Sequence, residues 1–498
     1  MLICAYAAGF LTVDSLFRLL LARFAPAVPN AAVSLWRDAV TALFLLVCAR
    51  PLIRKRVFPV RLRVTTLDSA ALVWLLSGLF GCLLSRDFTL TARALRITHL
   101  PVVWFLLIRR VSTQAGLIRV YATLVLSLAS LTALVGLAMF FLVPSSEILR
   151  LWSLKQGSSG LPAETIMRVG LFRMTSFLLS PTPFSSLMAA CAVACFAAAL
   201  TVRRPVYLVL LALFTCCNFL SLTRGGWLLQ LTGMITVVAM CRVRLLRLTK
   251  RLILISLLLA VLVVGTYAAL AQHGSGHAST LDSIERLLTE RDELYGRGLE
   301  HRLGVYDSIW SDLVIYPFGH GVGMVGRVAA RRGDNVRLGT PSVSDGWYAK
   351  IAAETGVVGL LAYGFLIAII LAYLVRLLST PLLGDDLRVC VLGILGIVVG
   401  MLAFGVGSNA WDIEPIAPMF WSWFGLVSAR AELPRSEPAG RACKGHERSA
   451  TALDEAMPRP AGSIATKERQ RMIALSKPGR VVPSGLHRDV RAPMESTD

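Results

Sequence analysis

The sequence predicts an all-α polytopic membrane protein: about twelve transmembrane helices and one large helical extracytoplasmic loop between spans 9 and 10. Three observations predict it. Hydrophobic residues fill 55% of the 498 positions and charged ones only 16%, a balance suited to lipid rather than to one large soluble core. The apolar residues fall in runs near the roughly 20 that cross a bilayer. Arginine and lysine crowd into alternate connections between those runs.

In order, the runs lie at about 1–20, 31–49, 66–84, 89–108, 120–143, 178–201, 205–222, 225–241, 252–271, 351–375, 388–406 and 415–430. The first has no basic leader or small-residue cleavage site, so it reads as a span rather than a removable signal peptide. Basic clusters at 50–63, 109–119, 203–204, 242–251 and 376–388 all fall on one face when the spans are counted, and that face is expected to be cytoplasmic. Both termini fall there too. The opposite face receives 21–30, 85–87, 144–177, the 222–225 corner, 271–350 and 407–414. Four regions follow: a membrane bundle over 1–270, the loop 271–350, membrane spans over 351–430, and a Pro-, Arg- and Ser-rich tail, 431–498, expected to be a disordered cytoplasmic segment.

The formal net charge of +21 follows from this topology and the basic tail; no basic stripe alternates with aromatics, which sets nucleic acid aside. Nine of the ten cysteines lie in or beside apolar runs and none has CxxC spacing, so they read as small buried hydrophobes. No internal repeat divides the chain into matched halves, which weakens a two-half transporter.

The loop 271–350 is the one long polar interruption. Leu281, Ile284, Leu287 and Leu288 recur at helical spacing, and a second helix is predicted over 299–313, with Arg302, Tyr306 and Ile309 on neighbouring turns. Pro317 and the glycines at 319, 321 and 323 end it in a turn, making a small cap over the membrane face.

Four polar constellations stand on the outer face. Arg173 precedes the Pro181 span start, where ordinary turn chemistry is the plain alternative. Arg224 stands at a Thr223-Arg224-Gly225 corner, functional or simply snorkelling to the interface. Arg302 leads into Tyr306 and the Tyr316–Gly323 turn, where a guanidinium fork suits a diphosphate but a solvated helix face would look the same. Asp345, a plain N-cap in the other reading, precedes Glu354, which needs a charge partner and has the nearby arginines as candidates. Arg93 and Arg96, with His99 beyond them, either face a lipid phosphate or snorkel.

Taken in order, these pieces resemble the O-antigen ligase and O-antigen polymerase family of bacterial envelope glycosyltransferases. That family shows an arginine before a proline-containing span start, a Ser-Arg-Gly corner, an arginine followed by an aromatic and a Pro-x-Gly-x-Gly turn, and a His/Asp-Asn pair before Glu-x-Gly-xx-Gly. Here they correspond to Arg173 with Pro181, Thr223-Arg224-Gly225, Arg302 with Pro317–Gly323, and Asp345 with Glu354–Gly359, across roughly 165–430. The resemblance implies a GT-C-like bundle in the bacterial inner membrane with a periplasmic loop. It implies transfer of a glycan from a polyprenyl-diphosphate carrier to a sugar hydroxyl of a second lipid-linked glycan. Chain-length regulators and flippases become candidate partners.

Arg224, Arg302, Asp345 and Glu354 would then be catalytic; Arg173, Arg93, Arg96, Tyr306 and His320 would bind substrate. No cofactor is implied. No paired carboxylates in the outer loops have ligand-like spacing, so metal-independent transfer is expected, with guanidinium groups stabilising the leaving diphosphate. One departure favours a polymerase over a ligase. Asp345-Gly346 stands where the ligases carry His-Asn, leaving His273, His301 and His320 as candidate substitutes. A flippase using the same arginines, or a polytopic scaffold, are the readings from other classes.

Overall fold

Caps, prolines and one glycine decide where the helices begin, break and bend. The computed structural model describes residues 43, 46, 64–111, 116–144, 147–148, 167–168, 171–178, 180–202, 204–241, 297–325, 346–381, 383–413 and 416–432, without the side chains of 111, 167–168, 171–172 and 297–303. The expected spans over 1–20, 31–49 and 252–271, the helix around 281–288 and the tail lie outside this set, apart from two residues of the second span. The chain divides into two units, Met1–Leu433 and Pro434–Asp498, and only the first contains described residues.

Helix α1 (Thr66–Leu84) opens on a reciprocal cap: the Thr65 side chain accepts from the Asp68 amide while Asp68 accepts from the Thr65 amide at 2.9 Å. Asp87 then caps α2 (Phe88–Thr98), accepting from the amides of Thr89 and Leu90 at 2.8 and 3.1 Å. The single span expected over 89–108 is instead two helices, α2 and α3 (Leu100–Val111), bent by 42°. Pro101 supplies the reason, since it has no N–H for the helical ladder and disfavours helical backbone in the residue before it. Next come α4 (Leu117–Leu142), a two-residue antiparallel pairing of β1 (Met167–Arg168) with β2 (Leu171–Phe172), and a 3-10 turn at Ser176–Leu178.

Helices α5 (Pro181–Val202) and α6 (Pro205–Leu220) start at prolines, and α7 (Arg224–Met240) starts at the predicted arginine. Loop helix α8 (Arg297–Ile315) is followed by α9 (Trp347–Ser379), α10 (Asp385–Gly405), a 3-10 turn at Ala410–Asp412 and α11 (Ile416–Glu432).

Five described helices are long and apolar enough to cross a membrane, or six if α2 and α3 form one broken span; this is a multi-pass membrane protein. Helices α6, α7 and α11 have 16, 17 and 17 residues, below the length expected of full spans. Helix α7 packs on α10 and α5, α9 on α1, and α11 on α3. Gly233 of α7 meets Gly396 of α10 backbone to backbone; a β-carbon on Gly233 would lie 2.9 Å from the Gly396 carbonyl oxygen. Close approach at small residues is how helices associate in lipid. Cys191, Cys195, Cys216, Cys217 and Cys390 are buried and Cys82 and Cys241 half-buried, all as free thiols. At one end of the bundle Asp68 of α1 is held by Arg109 and Arg110 of α3, and Arg109 also reaches Glu432 of α11.

The Gly-rich turn after α8 does more than cap the bundle. It is wedged into it. The Val322 amide donates to the Gly81 carbonyl of α1 at 3.1 Å, and the Val322 carbonyl accepts from Thr91 of α2 at 3.2 Å. The amides of His320 and Gly321 donate to the carbonyls of Ala353 and Glu354 in α9, at 2.8 and 2.9 Å. Those carbonyls are free because α9 breaks at Gly356 (φ 64°, ψ −153°), and the Val357 amide turns to Pro317 O at 2.9 Å. Gly321 sits at φ 101° with the Ser85 backbone where a side chain would go, 2.6 Å from a β-carbon. Gly321→Ala is expected to cost about 1–3 kcal/mol from backbone strain alone, and more from the clash. A thermal unfolding midpoint in detergent equal to that of the unsubstituted protein would refute this packing.

Candidate functional site

The α6–α7 corner is built from the inside out. Asn218 near the end of α6 donates to the Gly226 carbonyl (3.2 Å) and to Gln230 Oε1 (2.8 Å), and accepts from Ser185 of α5 (2.5 Å). Its own carbonyl accepts from the Trp227 indole at 3.1 Å. Leu222 at φ 50° makes the reversal, a costly conformation for a branched side chain that this network holds in place. The corner delivers Arg224 to the first position of α7, half-buried.

A cation at a helix N-terminus opposes the helix dipole, so stability of α7 does not explain Arg224. An anion would profit from both the guanidinium and the positive end of the helix dipole there. Arg173 grips the same corner: its Nε donates to the Ser221 carbonyl at 3.1 Å and an Nη to Thr223 Oγ1 at 2.7 Å, beside a Met174 amide to Leu220 carbonyl bond of 3.2 Å. Two of the predicted arginines are thus joined through the residue between them, Thr223.

Helix α8 comes to the same end of the bundle. Gly225 lies against Phe404 and Ser408 at the end of α10, and between those two residues the Val406 carbonyl accepts from the Tyr306 hydroxyl at 2.7 Å. Arg302 stands one turn before Tyr306 on α8; its side chain is outside the described residues. Asp345 is outside them too, but Gly346 after it, not Asp345, caps α9 at φ 105°; a β-carbon there would lie 3.1 Å from the Tyr306 hydroxyl oxygen. A small second core of Leu90, Ile309, Met324, Val325, Ala349, Ala352 and Ala353 fastens α8 to α2 and α9.

Glu354 goes elsewhere. One of its carboxylate oxygens accepts from the Gly323 amide at 3.1 Å; the other lies 3.7 Å from Lys350 Nζ, and the residue is 4% exposed. Lys350, 1% exposed, also bonds Asp412 and donates to Thr98 Oγ1 at 3.4 Å, while Thr98 donates to Asp412 at 2.8 Å. Among the described residues the charged partner of Glu354 is a lysine on its own helix rather than one of the candidate arginines. Sequence reading passed over Lys350, Asp412 and Thr98. The signal was there in Lys350 and Glu354 at i,i+4, and in a lone aspartate in the short loop before α11.

His320 pairs through Nε2 with Asp312 of α8 at 2.8 Å and packs on Tyr316. Arg93 is exposed and Arg96 half-buried on α2, away from its buried stripe of Leu90, Thr91, Ala94 and Thr98. Among the described residues no three His, Cys, Asp or Glu side chains gather as a metal site.

Arg173 and Arg224 thus stand at the corner that adjoins the end of α10, where the loop helix is fastened through Tyr306. Residues 207–364 match the family described as O-antigen ligase (Wzy_C), which includes the Arg224 corner, α8, the Gly-rich turn and the first half of α9. The curated proteins give no match. The matched stretch is less than half of the chain; over it the chain is similar to the O-antigen ligase family, which supports an O-antigen ligase- or polymerase-like membrane protein.

Proposed function

We propose that the protein polymerises a bacterial surface polysaccharide by moving a glycan from a polyprenyl-diphosphate carrier to a sugar hydroxyl of a second lipid-linked glycan. The acceptor oxygen forms the new bond to the anomeric carbon, the bond from that carbon to the diphosphate oxygen breaks, and the carrier leaves as the diphosphate anion. Arg224 and Arg302 hold that anion, adding no reorganisation as charge develops on it. Arg173 is a positioning residue acting through Thr223. Asp345 takes the proton of the acceptor hydroxyl; Glu354, with both carboxylate oxygens engaged, positions the Gly-rich turn instead.

The observation that carries this reading is the Arg173–Thr223–Arg224 corner lying beside the Val406 carbonyl that receives Tyr306 of the Arg302 helix. On this reading the loop side faces the periplasm and the membrane is the bacterial inner membrane. The polymerase is favoured over the ligase by Asp345-Gly346 in place of His-Asn.

The test is genetic. Deletion of the gene should leave single repeat units on the cell surface and remove long chains, and the intact gene should restore them. Loss of all glycan from lipid A, with polymer still on the carrier, identifies a ligase. Donor trapped on the cytoplasmic leaflet identifies a flippase, and either result overturns the polymerase.

A further inference from the structure

Helix α8 has an apolar end that the site does not use. Its inward residues Tyr306, Ile309 and Leu313 pack into the second core, and Asp307, Ser308 and Ser311 are exposed on its outward face, nearer the start of the helix. The last two turns and the start of the Gly-rich turn also expose Trp310 (61%), Val314 (84%), Ile315 (70%) and Phe318 (52%). An apolar cluster of this kind marks an interaction surface.

What covers it is indicated by its neighbour. Helix α1 is a candidate membrane span, and Leu72, Leu76, Leu79, Phe80 and Leu83 are its exposed lipid-facing stripe. The Phe318 ring meets the Phe80 ring edge-on, with centroids 5.8 Å apart, so the apolar end of α8 extends that stripe beyond Leu84.

We infer that the last two turns of α8, with Phe318, dip into the bilayer beside the Leu84 end of α1, and that membrane lipid is the partner of this surface. Tryptophan is favoured at the headgroup level and long apolar side chains below it, which orders Trp310, Val314 and Phe318 by depth. The tether fixes one end of the Arg302-bearing helix to the membrane. It holds whatever reaction the arginines serve.

The test uses the full chain in phosphatidylethanolamine/phosphatidylglycerol vesicles, with nitroxide labels on Val314→Cys, Phe318→Cys, Ser308→Cys and Ser311→Cys, and the unsubstituted chain as the labelling background. These side chains are exposed or rim-exposed, so the substitutions leave the core intact. Labels at 314 and 318 should be relaxed several-fold more by oxygen than by a water-soluble nickel chelate, and those at 308 and 311 the reverse. Nickel access at 314 and 318 equal to that at 308 would put the apolar end in water and overturn the inference. Access to neither reagent would mean that protein covers it, a second copy or another part of the chain, and would overturn it as well.

Discussion

Arg224→Ala is expected to lower glycan transfer by reconstituted protein by about 10²–10³-fold, the usual cost of removing one preorganised donor to developing negative charge. The substitution should leave the fold intact. Arg224 is half-buried at the first position of α7, where a cation works against the helix dipole, so the dipole itself does not require it. Arg302→Ala should fall in the same range. Arg224→Lys should recover only part of the rate, because a point charge cannot reproduce the two-pronged grip of a guanidinium on a diphosphate.

Arg173→Ala should show a smaller loss, since its bonds to Ser221 and Thr223 hold the corner rather than the substrate. The measurement is transfer between two lipid-linked glycans in vesicles, with the thermal midpoint recorded for each variant. Full activity in both Arg224→Ala and Arg302→Ala would end the catalytic reading.

The second large effect concerns stability. Lys350→Met should destabilise the protein by about 3–5 kcal/mol, the cost of breaking a buried ion pair and leaving its partner uncompensated. Here two partners are stranded at once, Asp412 and Glu354, with Thr98 losing its donor as well. Lys350→Met combined with Asp412→Asn should recover part of the loss, because the interaction energy of neighbours in one network is shared between them. Thermal unfolding in detergent of the unsubstituted protein, Lys350→Met, Asp412→Asn and the double variant reads both effects. Equal midpoints for Lys350→Met and the unsubstituted chain would show that the cluster contributes nothing.

How much was legible in the sequence varies with the range over which each signal acts. Helix limits set by local chemistry were readable: Pro181 and Pro205 begin α5 and α6, and Gly225 and Gly226 mark the α6–α7 corner that starts α7 at Arg224. The predicted helix 299–313 is the core of α8, Arg297–Ile315. The break at Pro101 was also written in the chain, but hydropathy averaged over a span-length run hides a single missing N–H.

Contacts between distant segments were beyond reach. Nothing local tells that Arg173 binds Thr223, that Lys350 meets Asp412, or that Val322 sits on the Gly81 carbonyl. For the glycines at 319, 321 and 323, the sequence gives a turn. Only the backbone of α1, α2 and α9 crowding those positions shows why no β-carbon fits there.

The glycine that breaks α9 also divides it into a protein-enclosed part and an exposed part. The helix has 33 residues. At 1.5 Å per residue that is about 50 Å of helix, against a hydrocarbon thickness of about 30 Å. The stretch after Gly356 alone, Val357 to Ser379, measures about 34 Å and suffices to cross. Side-chain exposure agrees with that ruler: Trp347 and 349–356 are buried by protein, and lipid-type exposure starts abruptly at Val357, Val358 and Leu361. The first nine residues of this hydrophobic helix are therefore a collar enclosed by protein, not needed for the crossing length. Lys350 and Glu354 belong to that stretch, so the charge cluster is enclosed by protein side chains rather than by lipid-type exposed surface. The hydropathy run that begins at 351 starts inside this protein-covered stretch and takes Glu354 into the span while leaving Lys350 and Asp412 outside it.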